Sequence, residues 1–259
     1  MITILYGIVI ITATFLGAFV GLGGGVIIKP LLDLIGKDTV DVVNFISTCA
    51  VFSMSISSTI KHIRAKTKID YKFIITLSIG AVAGGTAGSQ LFDALLNKFD
   101  NSMLKAIQGI ILGILLLLSV IYINLKKAKS FNVKNPIGVI AVGLTLGFTA
   151  SFLGVGGGPI NVAFLVLFFS MTMKESAVYS VGIIFFSQLS KLVTMGITGT
   201  VPTVNPITIA VAIACAVAGG IIGAMLNKKG SEKAIRTTFS IVVAALVVVN
   251  IYNAICNLV

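Results

Sequence analysis

Charged residues are scarce in this sequence, and their scarcity restricts the class of protein. Only 10% of the 259 residues are charged and only 8 are acidic, whereas 57% are hydrophobic. Nearly every stretch of about 20 residues between loops is apolar enough to span a bilayer. The apolar runs are continuous and do not alternate with polar residues, which excludes a β-barrel. We therefore predict an all-α polytopic membrane protein.

Residues that carry covalent, redox or metal chemistry are equally few. The three cysteines, Cys49, Cys215 and Cys256, all lie in apolar segments, so no disulfide framework is indicated. The sequence offers no metal-ligand cluster, no paired carboxylates and no nucleophile–base pair. No buried carboxylate stands out as a proton- or sodium-coupling group. These absences argue against an enzyme and predict that no cofactor is bound.

The net charge of +11 does not indicate a nucleic-acid partner. The basic residues lie mostly in short loops between apolar runs, which is the positive-inside pattern of membrane proteins. Residues 1–20 lack a basic n-region, so we interpret them as part of the fold and not as a cleaved signal. The partner that the charge pattern predicts is the lipid bilayer.

A glycine-rich segment at 19–27 occurs again at 152–160, a constant 133 positions later. Glycine costs a helix about 1 kcal/mol relative to alanine, so an anchoring helix gains nothing from such a cluster. Exposed backbone N–H groups at a helix start would let a ligand approach closely. The alternative is a pair of tight helix-packing surfaces. The clustered glycines are Gly21, Gly23, Gly24, Gly25, Gly154, Gly156, Gly157 and Gly158.

The rest of the chain repeats around these two clusters. Each cluster is flanked by apolar arms, one of them too short to span the bilayer, and is followed by three longer apolar segments. The predicted first repeat covers 1–123, with a hairpin over 2–35 and helices over 40–60, 71–95 and 103–123. A linker over 124–135 leads to the second repeat, 136–259, with a hairpin over 136–170 and helices over 176–195, 206–225 and 238–259.

The charge distribution favours one topology over another. If each glycine-containing run crosses the membrane once, eight spans in parallel halves result, and the basic loops lie on both sides. If each run is a hairpin with glycines at its tip, 14 basic residues in three loops and at Lys174 face the cytoplasm, against 3 outside. The hairpin model makes the two repeats inverted, as in many secondary transporters. It also predicts a cytoplasmic linker and two extracytoplasmic termini.

A polar stripe follows each cluster. Its members on the first helix fall within about 120° on a helical wheel: Asn44, Ser47, Thr48, Ser55, Ser58, Thr59 and His62. At the same shift of 133, Ser47 corresponds to Ser180, Ser55 to Gln188 and Ser58 to Lys191. These positions are candidates to face substrate, although each hydroxyl could instead bond its own helix. We interpret His62, beside a basic loop, as a solvated histidine.

Two lysines within apolar segments are candidate anion ligands. A charge near the bilayer centre costs at least ~2.5–3.5 kcal/mol unless it has a partner or water. Lys29 lies one turn before Asp33, so an ion pair and an anion-binding role both remain open. Lys191 lies near the end of its helix, where it could contact substrate or extend to the interface.

The doubled Gly-x-Gly-Gly-Gly, followed by Pro30-Leu31-Leu32 in the first copy, resembles the TauE/SafE family of sulfite exporters over both halves. The resemblance implies a secondary transporter of the inner membrane that moves sulfite, thiosulfate or an organosulfonate. Lys29 stands where the family usually has an apolar residue. An anion channel, a non-transporting partner subunit and a membrane-embedded enzyme are the alternatives, and a homodimer is left open. The predicted substrate-binding residues are the eight clustered glycines with Lys29, Ser47, Thr48, Ser55, Asn161, Ser180, Gln188 and Lys191.

Overall fold

The computed structural model describes residues 2–67, 69–96, 101–125, 130–153 and 157–258, and within these ranges every regular element is an α-helix. Among the described residues, six helices are long and apolar enough to cross a membrane, with apolar spans over Ile2–Val20, Asp41–Arg64, Tyr71–Leu91, Ile107–Asn124, Met173–Thr198 and Pro206–Lys229. The chain is therefore a multi-pass membrane protein. The helices are α1 (Ile2–Val20), α2 (Gly25–Ile35), α3 (Val40–Arg64), α4 (Tyr71–Leu96), α5 (Asn101–Asn124), α6 (Pro136–Phe152), α7 (Gly158–Phe169), α8 (Met173–Thr198), α9 (Pro206–Lys229) and α10 (Glu232–Leu258).

Helices α1 and α2 run in opposite directions on either side of the first glycine cluster. The Tyr6 hydroxyl, near the start of α1, donates a 2.6 Å hydrogen bond to Asp38, just beyond the end of α2. At the other end, the Gly23 N–H donates to the Gly17 carbonyl at 3.3 Å, which folds the turn back onto α1. We call this unit the first hairpin and its turn, residues 21–24, the tip.

Helices α6 and α7 form a second antiparallel unit. The backbone N–H groups of Phe131 and Val133, just before α6, donate to the carbonyls of Leu167 and Phe168 near the end of α7. The start of α6 is fixed locally, because the Asn135 side chain accepts from the Ile137 N–H at 3.1 Å. The start of α6 therefore lies beside the end of α7.

Small residues allow two helix pairs to approach at backbone distance. On α4, a Cβ added at Gly84 would collide with the carbonyl of Leu144 on α6. On α9, a Cβ added at Gly219 would collide with the carbonyl of Ile11 on α1. Within a bilayer such close packing is the main attraction between helices. Glycines recur at four-residue spacing on α4 (Gly80, Gly84 and Gly88) and on α9 (Gly219 and Gly223), and α4–α6 and α1–α9 are the pairs that pack through them.

The central helices α3 and α8 run in opposite directions, with the rings of Phe52 and Phe185 stacked 5.5 Å apart. We name the two ends of the molecule after the residues that flank α3. The Asp38 end is where α3 begins, and the Ala65 end is where it finishes. At the Ala65 end, Lys228 Nζ donates to the Ala65 carbonyl at 2.7 Å, and Lys174 Nζ donates to the Lys228 carbonyl at 2.6 Å. The start of α8 and the end of α9 therefore meet the end of α3.

Candidate functional site

A cavity of about 40 Å³ lies between the first hairpin, α3 and α8. It has room for about three water molecules, at ~10–15 Å³ for each, and so for an ion of a few atoms. Its walls combine backbone, hydroxyl, amide and ammonium groups with a few apolar side chains. The lining residues are Leu22, Gly23, Gly25, Lys29, Asn44, Ser47, Thr48, Val51, Ile184, Gln188 and Lys191.

The cavity lies in the half of the molecule toward the Asp38 end. On α3 it contacts the first half of the helix, Asn44 to Val51, and on α8 the second half, Ile184 to Lys191. Lys191 is exposed, and it marks the mouth of the cavity. Gly23 and Gly25 form part of the deeper wall, because Gly23 faces Ile184 and Gly25 faces Val51.

The electrostatics of the cavity favour a negative ligand. Its charged lining residues, within the described part of the chain, are Lys29 and Lys191, and their like charges act on each other. Helix α2 begins at Gly25, so its positive dipole end borders the same space. Repulsion between the two ammonium groups is relieved when an anion lies between them. The side chains of Asn44, Ser47, Thr48 and Gln188 add groups that can hydrogen-bond an oxyanion.

The predicted hydroxyl positions separate into two groups. Ser47 and Thr48 line the cavity, although Thr48 also donates to the Asn44 carbonyl of its own helix at 2.7 Å. Ser55 lies outside the cavity lining and donates to the Phe52 carbonyl at 2.7 Å. Ser180 also lies outside it, and its hydroxyl donates across elements to the Gly21 carbonyl at 2.7 Å. Ser180 therefore holds the tip of the first hairpin.

The glycines of the first cluster have different environments. Gly21, Gly23 and Gly24 have positive φ angles of 82°, 75° and 72°, which L side chains rarely adopt. Of these only Gly23 lines the cavity, together with Gly25. Gly21 packs against Ala177, and Gly24 packs against the α1 backbone. The cluster thus provides both a tight turn and a cavity wall.

The second cluster packs behind the first, against the cavity-lining residue Leu22. Gly154 and Gly156 lie outside the described residues. Gly157 precedes α7 with a φ of 82°, and Gly158 packs so closely against the Leu22 carbonyl that a Cβ would collide with it. Asn161 is buried one turn into α7, and its N–H donates to the Gly157 carbonyl at 2.7 Å. Among these described residues, none lines the cavity.

The structure adds Asn44 to the predicted site residues at the cavity. Asn44 belonged to the polar stripe, and its place one turn before Ser47 and Thr48 is the sequence signal that could have identified it. The apolar lining residues Leu22, Val51 and Ile184 carry no such signal, since they resemble any membrane-helix residue. The prediction that His62 is a solvated histidine is wrong. It is 2% exposed, because α8 and α9 cover the end of α3.

Comparison with known proteins gives one consistent family. The family model described as sulfite exporter TauE/SafE matches residues 6–250. The probable membrane transporter protein YunE of Bacillus subtilis (strain 168) is 27% identical over 261 residues, covering 92% of this chain and 93% of the relative. The probable membrane transporter protein MJ0441 of Methanocaldococcus jannaschii is 26% identical over 251 residues, covering 89% and 88%. The chain is a membrane transporter protein, and it belongs to the sulfite exporter TauE/SafE family.

Proposed function

We propose that the protein is a secondary transporter for a small sulfur-containing anion and that the cavity is its binding site. The observation that carries the proposal is the convergence of Lys29 and Lys191 on one small polar space. Sulfite, thiosulfate and the sulfonate group of a small organosulfonate are compact oxyanions that ammonium, hydroxyl and amide donors can bind. The cavity volume of about 40 Å³ suits such a group and is too small for a large organic substrate.

The tip of the first hairpin favours a transporter over an anion channel. Beyond the cavity the tip packs against α8, where Gly21 contacts Ala177 and accepts a hydrogen bond from Ser180. The cavity is therefore separated from the Ala65 end by packed backbone. A channel needs a continuous aqueous route, whereas a transporter opens its site to one side at a time.

Inverted repeats are part of the proposal, and repeated helix contacts support them. Gly84 packs on Leu144, and Gly219 packs on Ile11. Leu144 lies 133 positions after Ile11, and Gly219 lies 135 positions after Gly84. The α4–α6 contact therefore recurs as the α9–α1 contact, with the two halves of the chain exchanged. The first hairpin has its open end at the Asp38 end, whereas α7 ends beside the start of α8 at the Ala65 end. Two hairpins that enter from opposite faces fit an inverted arrangement.

The orientation that we propose puts the Ala65 end in the cytoplasm of a cell whose inner membrane holds the protein. Lys228 and Lys174 donate hydrogen bonds to backbone carbonyls at this end. The basic residues at the end of α3, the end of α9 and the start of α10 lie at the same end: Lys61, Arg64, Lys229, Lys233 and Arg236. This side carries the excess of lysine and arginine that cytoplasmic loops show. The cavity then opens to the outside, and both termini lie there as well.

A flux assay in proteoliposomes tests the proposed function. Purified protein should take up at least one of ³⁵S-labelled sulfite, thiosulfate and a small sulfonate with saturable kinetics, while protein-free liposomes show only background uptake. Saturation is expected because one small cavity binds each ion that crosses. Absence of flux for all three anions with folded protein would favour a partner subunit, and a non-saturating anion current would favour a channel.

A further inference from the structure

Four buried polar side chains lie toward the Ala65 end, outside the cavity described above. Within the part of the chain that the structure describes, Ser58 Oγ, His62 Nε2, Ser176 Oγ and Asn227 Oδ1 have no hydrogen-bond partner. All four residues are at most 2% exposed. Buried polar atoms in proteins are normally paired, so a group of unpaired ones requires an explanation.

The packing of α3 against α8 and α9 brings these four residues to the same depth. Phe52 on α3 stacks on Phe185 on α8, and the two helices are antiparallel. His62 lies ten positions after Phe52, and Ser176 lies nine positions before Phe185, so these two residues are at the same level. Ser58 lies one helical turn from His62 on the same face. On α9, Gly220 contacts Met54 and Ser57, so Asn227, two turns further, reaches the level of His62.

Basic residues surround this group. The charges of Lys174 and Lys228 both act on the His62 ring. Two carboxylates lie nearby: Glu175, next to Ser176, accepts hydrogen bonds from the Thr172 N–H and hydroxyl. Glu232 accepts hydrogen bonds from the N–H groups of Met173 and Lys174 at the start of α8. Its charge is therefore engaged by the start of α8, and the charges that act on the His62 ring are those of Lys174 and Lys228.

The tip of the first hairpin separates this group from the outer cavity. The polar face of α3 runs from Asn44, Ser47 and Thr48 at the cavity to Ser58 and His62 at the Ala65 end. At the border of the inner group, next to Ser176, the tip contacts α8 through the packing of Gly21 on Ala177 and the Ser180 hydrogen bond. Breaking that hydrogen bond and withdrawing the tip would join the two polar regions.

We propose that Ser58, His62 and Ser176, with Lys174 and Lys228 beside them, form an inner binding site for the transported oxyanion. The Gly21–Ser180 contact closes this site in the conformation described here. The proposal rests on the proposed transport function, and it adds a second station on the path with a gate between the two. In the closed state its polar groups are buried without partners, and in the open state the anion and water satisfy them.

Thiol accessibility tests the inner site. In a chain whose three cysteines are replaced by alanine, Ser58→Cys is labelled in right-side-out vesicles, where the reagent enters through the outer cavity, with an anionic and a cationic methanethiosulfonate of similar size. Adding Ser180→Ala removes the hydrogen bond to the tip, so labelling by the anionic reagent should rise at least tenfold. The anionic reagent should react faster than the cationic one, and millimolar sulfate, which does not react with thiols, should slow it.

Ser78→Cys is the matched control, because Ser78 is also a buried serine with an unpaired hydroxyl but lies on α4, beside Phe186, and takes no part in the Gly21 contacts with Ala177 and Ser180. Its labelling should not change when Ser180→Ala is added. A Ser58→Cys that stays unreactive, that shows no preference for the anionic reagent, or that gains reactivity together with Ser78→Cys would overturn the proposal. The readout requires no transport, so a failed flux assay and a failed inner site are distinguishable results.

Discussion

At the scale of single residues, neighbours in sequence have different environments. Gly24 and Gly25 are adjacent, yet Gly24 packs on α1 with a positive φ, while Gly25 starts α2 and lines the cavity. Lys29 lies one turn further along α2, on the same side as the cavity. Few side chains therefore determine the charge of the site, and the lysines are the ones whose removal changes it most.

Lys29→Met should weaken transport or substrate affinity at least tenfold, because it removes one of the two positive charges at the cavity while keeping a long apolar stem. A tenfold loss corresponds to about 1.4 kcal/mol. Asp33→Asn should have a smaller effect, since Asp33 is absent from the cavity lining. Initial rates in proteoliposomes measure both variants, with the yield of folded protein as the control. Equal losses of folded protein in both would show that the two residues serve stability as a pair.

At the scale of helices, the glycine positions decide which elements pack together. Gly143 and Gly147 on α6 lie directly against the Leu77 and Ala81 carbonyls of α4. No side chain fits at these two positions, so the helix surfaces match there at the level of the backbone. By contrast, Gly196 on α8 has no heavy atom within 4 Å of where a Cβ would lie.

Gly147→Ala should lower the stability of the protein by about 1–3 kcal/mol, because the new methyl group forces α4 and α6 apart. Gly196→Ala, its control, should raise stability slightly, since alanine is favoured over glycine in an open helical position by about 1 kcal/mol. Thermal unfolding in detergent measures both changes. If Gly147→Ala is as stable as Gly196→Ala, the α4–α6 contact is looser than the structure indicates.

At the scale of the whole molecule, the contacts at the Ala65 end tie together loops that are distant in sequence. Lys228 bonds the end of α3, and Lys174 bonds the end of α9. Loops from both halves therefore lie on one side, as the hairpin topology requires. In the eight-span parallel alternative, the loop after α3 and the loop after α9 would lie on opposite sides.

Single cysteines should report this topology directly in the cysteine-free chain. Lys37→Cys and Val201→Cys, in exposed loops toward the Asp38 end, should react with an impermeant thiol reagent added to intact cells. Arg64→Cys and Ser231→Cys, both exposed at the Ala65 end, should react only after the membrane is opened. Labelling of Ser231→Cys from outside while Arg64→Cys stays protected would restore the parallel model.

The sequence alone determined the class of protein, its helical nature and the two places where helices are interrupted. These features are readable because hydropathy and the helix cost of glycine act locally, within a span of about 20 residues. Helical periodicity also predicted that Ser47 and Thr48 point to the same side of α3, since it depends only on the spacing of residues within one helix. The doubled motif was enough to identify the family.

Only the tertiary structure decided which of the polar residues share one cavity. A helical wheel gives the direction of a side chain but not the helix that faces it, so Ser47 and Lys191 are brought together while Ser55 and Ser180 bond elsewhere. It also placed His62 in the interior, through helices more than a hundred residues away in sequence. In a bilayer, apolar side chains give helices little preference among partners. Backbone contacts at small residues therefore set the register, and with it the composition of the site.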